Sequence, residues 1–182
     1  MKKIYSVLLI AVLFSTSMFS QENGKTEKAS ENFNEIKLNG LYLVLGAFDV
    51  TYERTINEES AFGLNAFIPF DDDINDEINY YISPYYRLYF GKKYAAGFFL
   101  EGFGMLNSTN DINYFYNDGI NASRREETIT DFALGIGLGG KWVTKSGFVG
   151  ELNFGLGRNL FNNDRYDYEI IGKASITLGY RF

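Results

Sequence analysis

Residues 169–182 read EIIGKASITLGYRF and alternate between apolar side chains and polar or small ones. The even-numbered positions include Ile176 and Leu178, whereas the odd-numbered positions include Lys173 and Arg181. A period of two is typical of a β-strand whose two faces meet different surroundings. The stretch therefore predicts a strand with one apolar face and one polar face.

The same alternation occurs earlier in the chain. In residues 148–157, Leu152 and Phe154 share one face, while Glu151 lies on the other. Successive alternating segments separated by turn residues predict an all-β chain. Residues 132–143 repeat the pattern, and five noisier segments complete a count of eight strands: 36–46, 49–56, 61–69, 79–90 and 96–106.

The polar faces indicate which side of the strands is the interior. They carry charges of both signs at or near mid-strand, mixed with small residues such as Gly135, Gly137 and Gly139. Long charged side chains beside small ones suit a crowded interior, and an eight-stranded barrel is just wide enough to be filled by side chains. We therefore predict an eight-stranded antiparallel up-and-down transmembrane β-barrel with its apolar face toward lipid. The predicted interior charge network consists of Glu53, Arg87, Glu101, Lys141, Glu151, Lys173 and Arg181.

Buried charges persist only when they are paired, because an isolated one costs several kcal/mol in desolvation. Cross-strand ion pairs are therefore expected within the network. Glu151 is expected to be its hub, because Lys141 and Lys173 lie on the two neighbouring strands.

The connections between the predicted strands alternate in length. Those at 57–60, 91–94 and 144–147 are short, whereas those at 70–78, 107–130 and 159–168 are long and polar. Outer-membrane barrels have short periplasmic turns and longer external loops. The long connections are therefore expected outside the cell, and the whole of 107–130 is expected to be loop.

The N-terminal residues predict export. Lys2 and Lys3 precede a short apolar run, and small polar residues follow up to Ser20, which is the layout of a cleaved signal peptide. The polar segment 21–35 is expected to be a flexible arm, because it has too little apolar surface to offset its ordering entropy. The predicted organisation is thus a signal peptide (1–20), an arm (21–35) and a barrel (36–182).

The last strand ends on Tyr180 and Phe182, and further aromatic residues stand near the predicted strand ends. Together with the export signal and the alternating strands, this resembles the small eight-stranded OmpA/OmpX-like barrels of the outer membrane. The resemblance implies a place in the outer membrane, contact with its lipid, and reading of Tyr180 and Phe182 by the barrel-assembly machinery. Aromatic girdles at the two membrane interfaces are expected from Tyr80, Phe90, Trp142 and Phe148.

Enzymatic outer-membrane barrels use a histidine to activate their nucleophile, and this chain has no His and no Cys. No catalytic residue, metal site or cofactor is therefore predicted. The sequence GIGLGG at 135–140 matches a phosphate-binding glycine pattern, but alternation runs straight through it, so we interpret it as a strand. The acidic segment 71–77 departs from calcium-loop spacing, and a solvated loop is favoured over a loose divalent-cation site. A net charge of −6 without a basic cluster argues against nucleic acid as a partner.

Three functions remain open at this point. The favoured one is a non-enzymatic barrel with a packed polar interior and a structural or surface-interaction role through its external loops. The alternatives are a narrow pore or conduit for small or apolar molecules, and a soluble periplasmic ligand-binding barrel. The sequence identifies no external partner.

Overall fold

The computed structural model describes residues 34–71, 74, 78–116, 122–161 and 169–182, with the backbone alone at 111–116 and 122–127. The predicted signal peptide and all but the last two residues of the predicted arm lie outside this part of the chain. No helix among the described residues is long and apolar enough to span a bilayer. The elements, in order, are β1 (Asn34–Asn39), α1 (Gly40–Leu45), β2 (Ala47–Asn57), β3 (Ser60–Pro69), β4 (Ile78–Tyr89), β5 (Gly97–Tyr116), β6 (Ala122–Val143), β7 (Phe148–Asn159) and β8 (Ile170–Arg181).

The strands form a closed antiparallel barrel in which each strand pairs with its neighbours in sequence, so the predicted fold class is confirmed. β1 closes the barrel against β8, with Ile36 opposite Tyr180. At the same seam the backbones of Asn34 and Phe182 exchange two hydrogen bonds of 3.1 and 2.8 Å. β1 thus begins at Asn34, two residues before the predicted start of the barrel.

Alternation sorts the side chains as the sequence predicts. On β6, β7 and β8 the apolar residues Leu138, Leu152 and Ile176 are exposed on the outer face. The residues between them point into the barrel and are buried. The barrel is therefore apolar outside and charged inside.

The first predicted strand, 36–46, was wrong over its second half, because β1 ends at Asn39 and α1 follows. Asn39 caps this helix by accepting a hydrogen bond from the Leu41 backbone N–H at 3.1 Å. Gly46 ends it in the left-handed conformation, with φ of 113°, and donates to the Tyr42 carbonyl. A Cβ at Gly46 would also lie 2.4 Å from the Asp71 Cβ, so only glycine fits there. Short apolar runs such as LYLVL do not distinguish a strand from one turn of helix, and the two caps decide it.

The predicted loop 107–130 was also wrong, because most of it is strand. β5 and β6 pair continuously from Gly97 opposite Lys141 to Tyr116 opposite Ala122. Within the described chain, β4 pairs with β5 only as far as Thr109, and β7 pairs with β6 only from Ala133. Residues 110–116 and 122–128 therefore pair only with each other there, and we call them the β-ribbon.

The two ends of the barrel differ. The short-turn end carries residues 58–59, 90–96 and 144–147, whereas the ribbon end carries α1 and the β-ribbon. At the short-turn end, residues 90–96 fold back toward the neighbouring turn. There the Ala95 N–H donates to the Glu58 carbonyl at 2.7 Å, and Ala95 is fully buried.

Candidate functional site

The barrel interior contains a charge layer contributed by seven of the eight strands, all except β3. All seven residues of the predicted network lie in it, together with two residues of β1 that the sequence analysis did not select. The inward face of each strand places them there, because every second residue of a strand points to the same side. The charge layer consists of Glu35, Lys37, Glu53, Arg87, Glu101, Lys141, Glu151, Lys173 and Arg181.

Glu53 on β2 is the centre of the layer. Its Oε2 accepts from Lys37 Nζ at 2.7 Å and from Arg87 Nη1 at 2.8 Å. Its Oε1 accepts from Lys141 Nζ at 2.5 Å. The hydroxyls of Tyr85 and Tyr89 donate to the same carboxylate at 2.7 and 2.8 Å. Five donors from three strands, β1, β4 and β6, thus converge on one fully buried side chain.

Arg87 on β4 links three carboxylates. Its Nε donates to Glu101 Oε2 at 2.7 Å, and its Nη1 donates to both Glu53 and Glu151. The guanidinium lies between two aromatic rings, 4.3 Å from the Tyr85 centroid and 4.2 Å from the Phe99 centroid. A planar, weakly hydrated guanidinium suits this combination of stacking and charged hydrogen bonds.

The predicted hub was wrong: Glu151 receives no bond from Lys141 or Lys173. Its Oε2 instead accepts from Lys37 Nζ at 2.8 Å and from Arg87 Nη1 at 2.7 Å. Lys141 lies directly opposite Glu151 in the β6–β7 register, yet its Nζ donates to Glu35 and Glu53. Long side chains in a narrow barrel reach across the interior, so strand adjacency does not determine which charges meet.

Lys37 and Glu35 are the members of the layer that the sequence analysis missed. Lys37 bridges Glu53 and Glu151, and Glu35 accepts from both Lys141 and Arg181. The signal was present, because the charges at 35 and 37 alternate with apolar Ile36 and Leu38. The predicted arm included residue 35, and the predicted strand continued into LYLVL at 41–45. The short alternating stretch 35–38 was therefore divided between two predicted segments.

The layer reaches toward both ends of the barrel. Lys173 donates to Glu101 at 2.8 Å on the side of the ribbon end. At the short-turn end Arg181 donates to Glu35 and also to the carbonyls of Tyr94 and Ala95, both at 3.0 Å. The connection 90–96 is therefore tied to the charge layer by the same arginine that terminates β8.

A smaller polar and aromatic cluster lies between the charge layer and α1. The Asp49 carboxylate accepts from the Asn39 amide at 2.8 Å, from the Asn65 amide, and from the Tyr81 hydroxyl at 3.2 Å. The ring of Phe67 stacks on Tyr81 at 4.7 Å, and the edge of Tyr42 from α1 packs on Phe67. The interior is thus packed with side chains from the charge layer toward the ribbon end.

The glycine pattern at 135–140 belongs to this interior and to no phosphate site. β6 runs straight through it, and a Cβ at Gly135 would lie 2.3 Å from the ring of Phe103. A Cβ at Gly139 would lie 2.4 Å from the ring of Phe99. The glycines therefore make room for two inward-facing aromatic rings.

A family model described as "Protein of unknown function (DUF3575)" matches residues 7–178 of the chain. The chain belongs to this family. No curated protein matches it. Among solved structures, the N-terminal β-barrel domain of Pseudomonas aeruginosa OprF is 16% identical with a TM-score of 0.51, over 83% of this chain and 98% of that chain. The Yersinia pestis outer membrane protein Ail, solved in a phospholipid bilayer nanodisc, is 15% identical with a TM-score of 0.39, over 84% and 100% of the two chains. The likeness to OprF shows that this DUF3575 chain has the fold of an outer-membrane barrel.

The aromatic residues predicted at the interfaces all lie on the outer face of the DUF3575 barrel. Phe90, Trp142 and Phe148 are exposed near the short-turn end, and Tyr80 is exposed near the ribbon end. Tyr180 and Phe182 are exposed at the short-turn end as well. The aromatic side chains thus stand near both ends of the apolar surface.

The charge layer can stabilise the barrel by linking its strands, and its carboxylates are occupied by cations. Each one is buried and accepts hydrogen bonds from cations, whereas a general base must come within hydrogen-bond reach of the proton it removes. Among the described residues, no group of three or more His, Cys, Asp or Glu side chains is placed to hold a metal ion.

Proposed function

We propose that this protein is a non-enzymatic barrel of the outer membrane, with a closed interior and a structural or surface-interaction role at its ribbon end. The observation that carries the proposal is the inverted distribution of polarity. Glu53 inside the barrel is 0% exposed, whereas Leu138 on the outside is 50% exposed. Such an arrangement suits a barrel whose outer surface meets hydrocarbon.

The outer face supports membrane insertion over the soluble alternative. A soluble ligand-binding barrel points its apolar residues inward and its charges into water. Here apolar side chains cover the outside of all eight strands, and Ile36, Phe62, Ile136 and Leu156 are each more than half exposed. Soluble monomers rarely expose apolar patches beyond a few hundred Å². The hypothesis of a soluble periplasmic ligand-binding barrel is therefore the least supported of the three candidate functions.

The interior supports a closed barrel over a pore. Lys37, Glu53 and Lys141 meet at the centre of the cross-section and are each at most 2% exposed. Arg87 and its two flanking rings occupy the adjacent space. An aqueous path would leave these groups hydrated, so the geometry favours a plug over a narrow pore or conduit.

The β-ribbon supports a role at the surface. Its two strands pair with each other beyond the barrel wall, so at 111–116 and 122–127 their outer edges lie beside no other strand of the described chain. Unpaired strand edges can accept an additional strand from a partner. Recognition by strand addition would use backbone hydrogen bonds. It therefore does not require a uniform set of side chains on the β-ribbon, whose sequence mixes charged and aromatic residues.

The first test is where the protein resides and whether its barrel is closed. We expect recovery in the outer-membrane fraction, with unboiled and boiled samples running at different positions on a gel because closed barrels resist detergent. Recovery in the soluble periplasmic fraction alone would contradict the proposal. The same preparation tests the predicted cleavage after Ser20 by its N-terminal sequence.

The second test concerns orientation. An epitope inserted after Asp118, between the two strands of the β-ribbon, is expected to bind antibody on intact cells. The matched control is the same epitope after Lys145, in the turn 144–147, which should bind only after the outer membrane is permeabilised. The reverse result would show that the ribbon end faces the periplasm.

Assembly provides a third test. Tyr180 and Phe182 are predicted to be read by the barrel-assembly machinery. Phe182→Ala should therefore lower the amount of folded barrel in cells while leaving refolding into vesicles unchanged. Equal amounts of folded barrel for the variant and the wild type would contradict recognition of Phe182 by the assembly machinery.

A further inference from the structure

The outer face contains an apolar groove near the short-turn end. It crosses β5, β6 and β7, has a volume of about 370 Å³, and is lined by Phe98, Leu138, Gly140, Trp142, Leu152 and Phe154 among others. This volume falls within the range of small-molecule sites, about 300–1,000 Å³. The groove is a local depression in an outer surface that carries many large apolar side chains.

Gly140 is the reason for the depression. It is an outward-facing position of β6, and its register partners on the two neighbouring strands are Phe98 and Leu152. Because Gly140 has no side chain, these two residues stand as walls on either side of it. The indole of Trp142 forms a third wall, since its Cη2 lies 3.2 Å from where a Cβ of Gly140 would be.

Three lysines stand in the two connections at the short-turn end that adjoin β5 and β6. The connection 90–96 leads into β5 and carries Lys92 and Lys93, and the turn 144–147 leaves β6 and carries Lys145. All three side chains are exposed, and within the described chain no ion pair involves them. They adjoin the strand that carries Phe98 and the strand that carries Gly140.

We propose that this groove binds an anionic phospholipid, with one acyl chain lying along Gly140 and the phosphate held by Lys92, Lys93 and Lys145. This inference rests on the proposed insertion in the outer membrane, with the short-turn end toward the periplasm. The apolar lining matches an acyl chain, and lysines near a membrane surface attract anionic headgroups. The exposed indole of Trp142 stands between the two, where its polar N–H and apolar rings suit the interface.

Trp142 also reports on the groove, because it is the single tryptophan of the chain. The protein is refolded into phosphatidylcholine vesicles that contain an equal, small fraction of either brominated phosphatidylglycerol or brominated phosphatidylcholine. Bromine on the acyl chain quenches indole fluorescence on contact. We expect brominated phosphatidylglycerol to bind at the indole about fivefold more strongly for each lysine that engages the headgroup, and high salt to reduce the preference.

Substitutions in the lysines and in the groove test whether the preference for phosphatidylglycerol arises at this site. Lys92→Gln, Lys93→Gln and Lys145→Gln together should abolish it, while quenching by brominated phosphatidylcholine remains. The matched control is Arg158→Gln, which removes an exposed cation near the ribbon end. Gly140→Leu should fill the groove and lower the preference, whereas Gly102→Leu, at an outward position with open space around it, should not. If Gly140→Leu fails to fold, the lysine variants decide the matter.

Each other outcome overturns the site in a recognisable way. Equal quenching by the two brominated lipids would leave membrane insertion intact and remove the phospholipid site. A preference that survives the triple lysine change would place the anionic lipid elsewhere. Quenching that falls as protein is added at fixed lipid would show a second copy covering the groove. Quenching by neither lipid would mean that Trp142 does not contact acyl chains. That result would contradict the lipid-facing outer surface and the proposed function as well.

Discussion

Arg87 Nη1 lies 2.8 Å from Glu53 Oε2 in the barrel interior, although their strands, β4 and β2, are separated by β3. The same nitrogen lies 2.7 Å from Glu151 Oε2, on β7. One guanidinium therefore connects opposite walls of the barrel. Such contacts couple strands that share no backbone hydrogen bonds, so the charge layer is expected to make folding cooperative.

Loss of the Glu53 carboxylate should destabilise the barrel strongly. Glu53→Ala leaves Lys37, Arg87 and Lys141 buried without their shared acceptor, and breaking a buried pair costs about 3–5 kcal/mol. Urea unfolding from lipid vesicles measures the free energy of unfolding. Glu58→Ala, at an exposed glutamate in the adjacent turn, is the control and should change it little. A Glu53→Ala effect as small as that of the control would mean that the layer is hydrated.

A double-mutant comparison distinguishes contact across the interior from contact between neighbouring strands. Lys37→Met combined with Glu151→Gln should show a coupling free energy of about 1–3 kcal/mol, because the two side chains are bonded at 2.8 Å. Lys141→Met combined with Glu151→Gln should show a smaller coupling, because Lys141 is directed to Glu35 and Glu53. A larger coupling for the second pair would support the strand-neighbour arrangement instead.

Sequence periodicity was sufficient for the strands and for the inward face of most of them. It predicted that Lys141, Glu151 and Lys173 point inward, because each stands between apolar residues at period two. It could not predict that Glu53 is the centre, because which charges meet depends on how long side chains cross a closed interior. That information lies in the register of all eight strands together.

The two fold errors have a physical basis as well. The run at 41–45 has no polar residue to reveal its period, and its helix depends on the caps at Asn39 and Gly46. Residues 107–130 are dense in Asn and Asp, which are common in turns. In the structure, backbone pairing within the β-ribbon overrides that local preference. Local composition therefore underestimates strands that are stabilised only by each other.

A charge in the outer face should be costly if that face meets lipid. Ile176 is half exposed near the middle of β8, and Ile176→Arg should lower the free energy of unfolding from vesicles by about 2–4 kcal/mol. Ile176→Ala controls for loss of the apolar side chain and should cost less. If the arginine variant is as stable as the alanine variant, the outer face does not lie in hydrocarbon.

A closed interior predicts that the barrel does not conduct ions. In planar bilayers the wild-type protein should show no stable large conductance, because eight strands leave room for side chains and not for an aqueous channel. A refolded sample with the gel shift of the closed barrel serves as the control for insertion. Stable large openings from that sample would favour the pore over the plug.

The central claim is that the apolar face of the barrel meets lipid while the alternate face is packed inside, and spin-label accessibility along β8 tests it most directly. The chain has no cysteine, so single cysteines at positions 174–178 can be labelled without background. In vesicles, labels at 174, 176 and 178 should collide readily with oxygen and rarely with a water-soluble nickel chelate. Labels at 175 and 177 should collide rarely with either reagent. Ready collision of the chelate with the label at 176, or the loss of the two-residue alternation, would contradict the account.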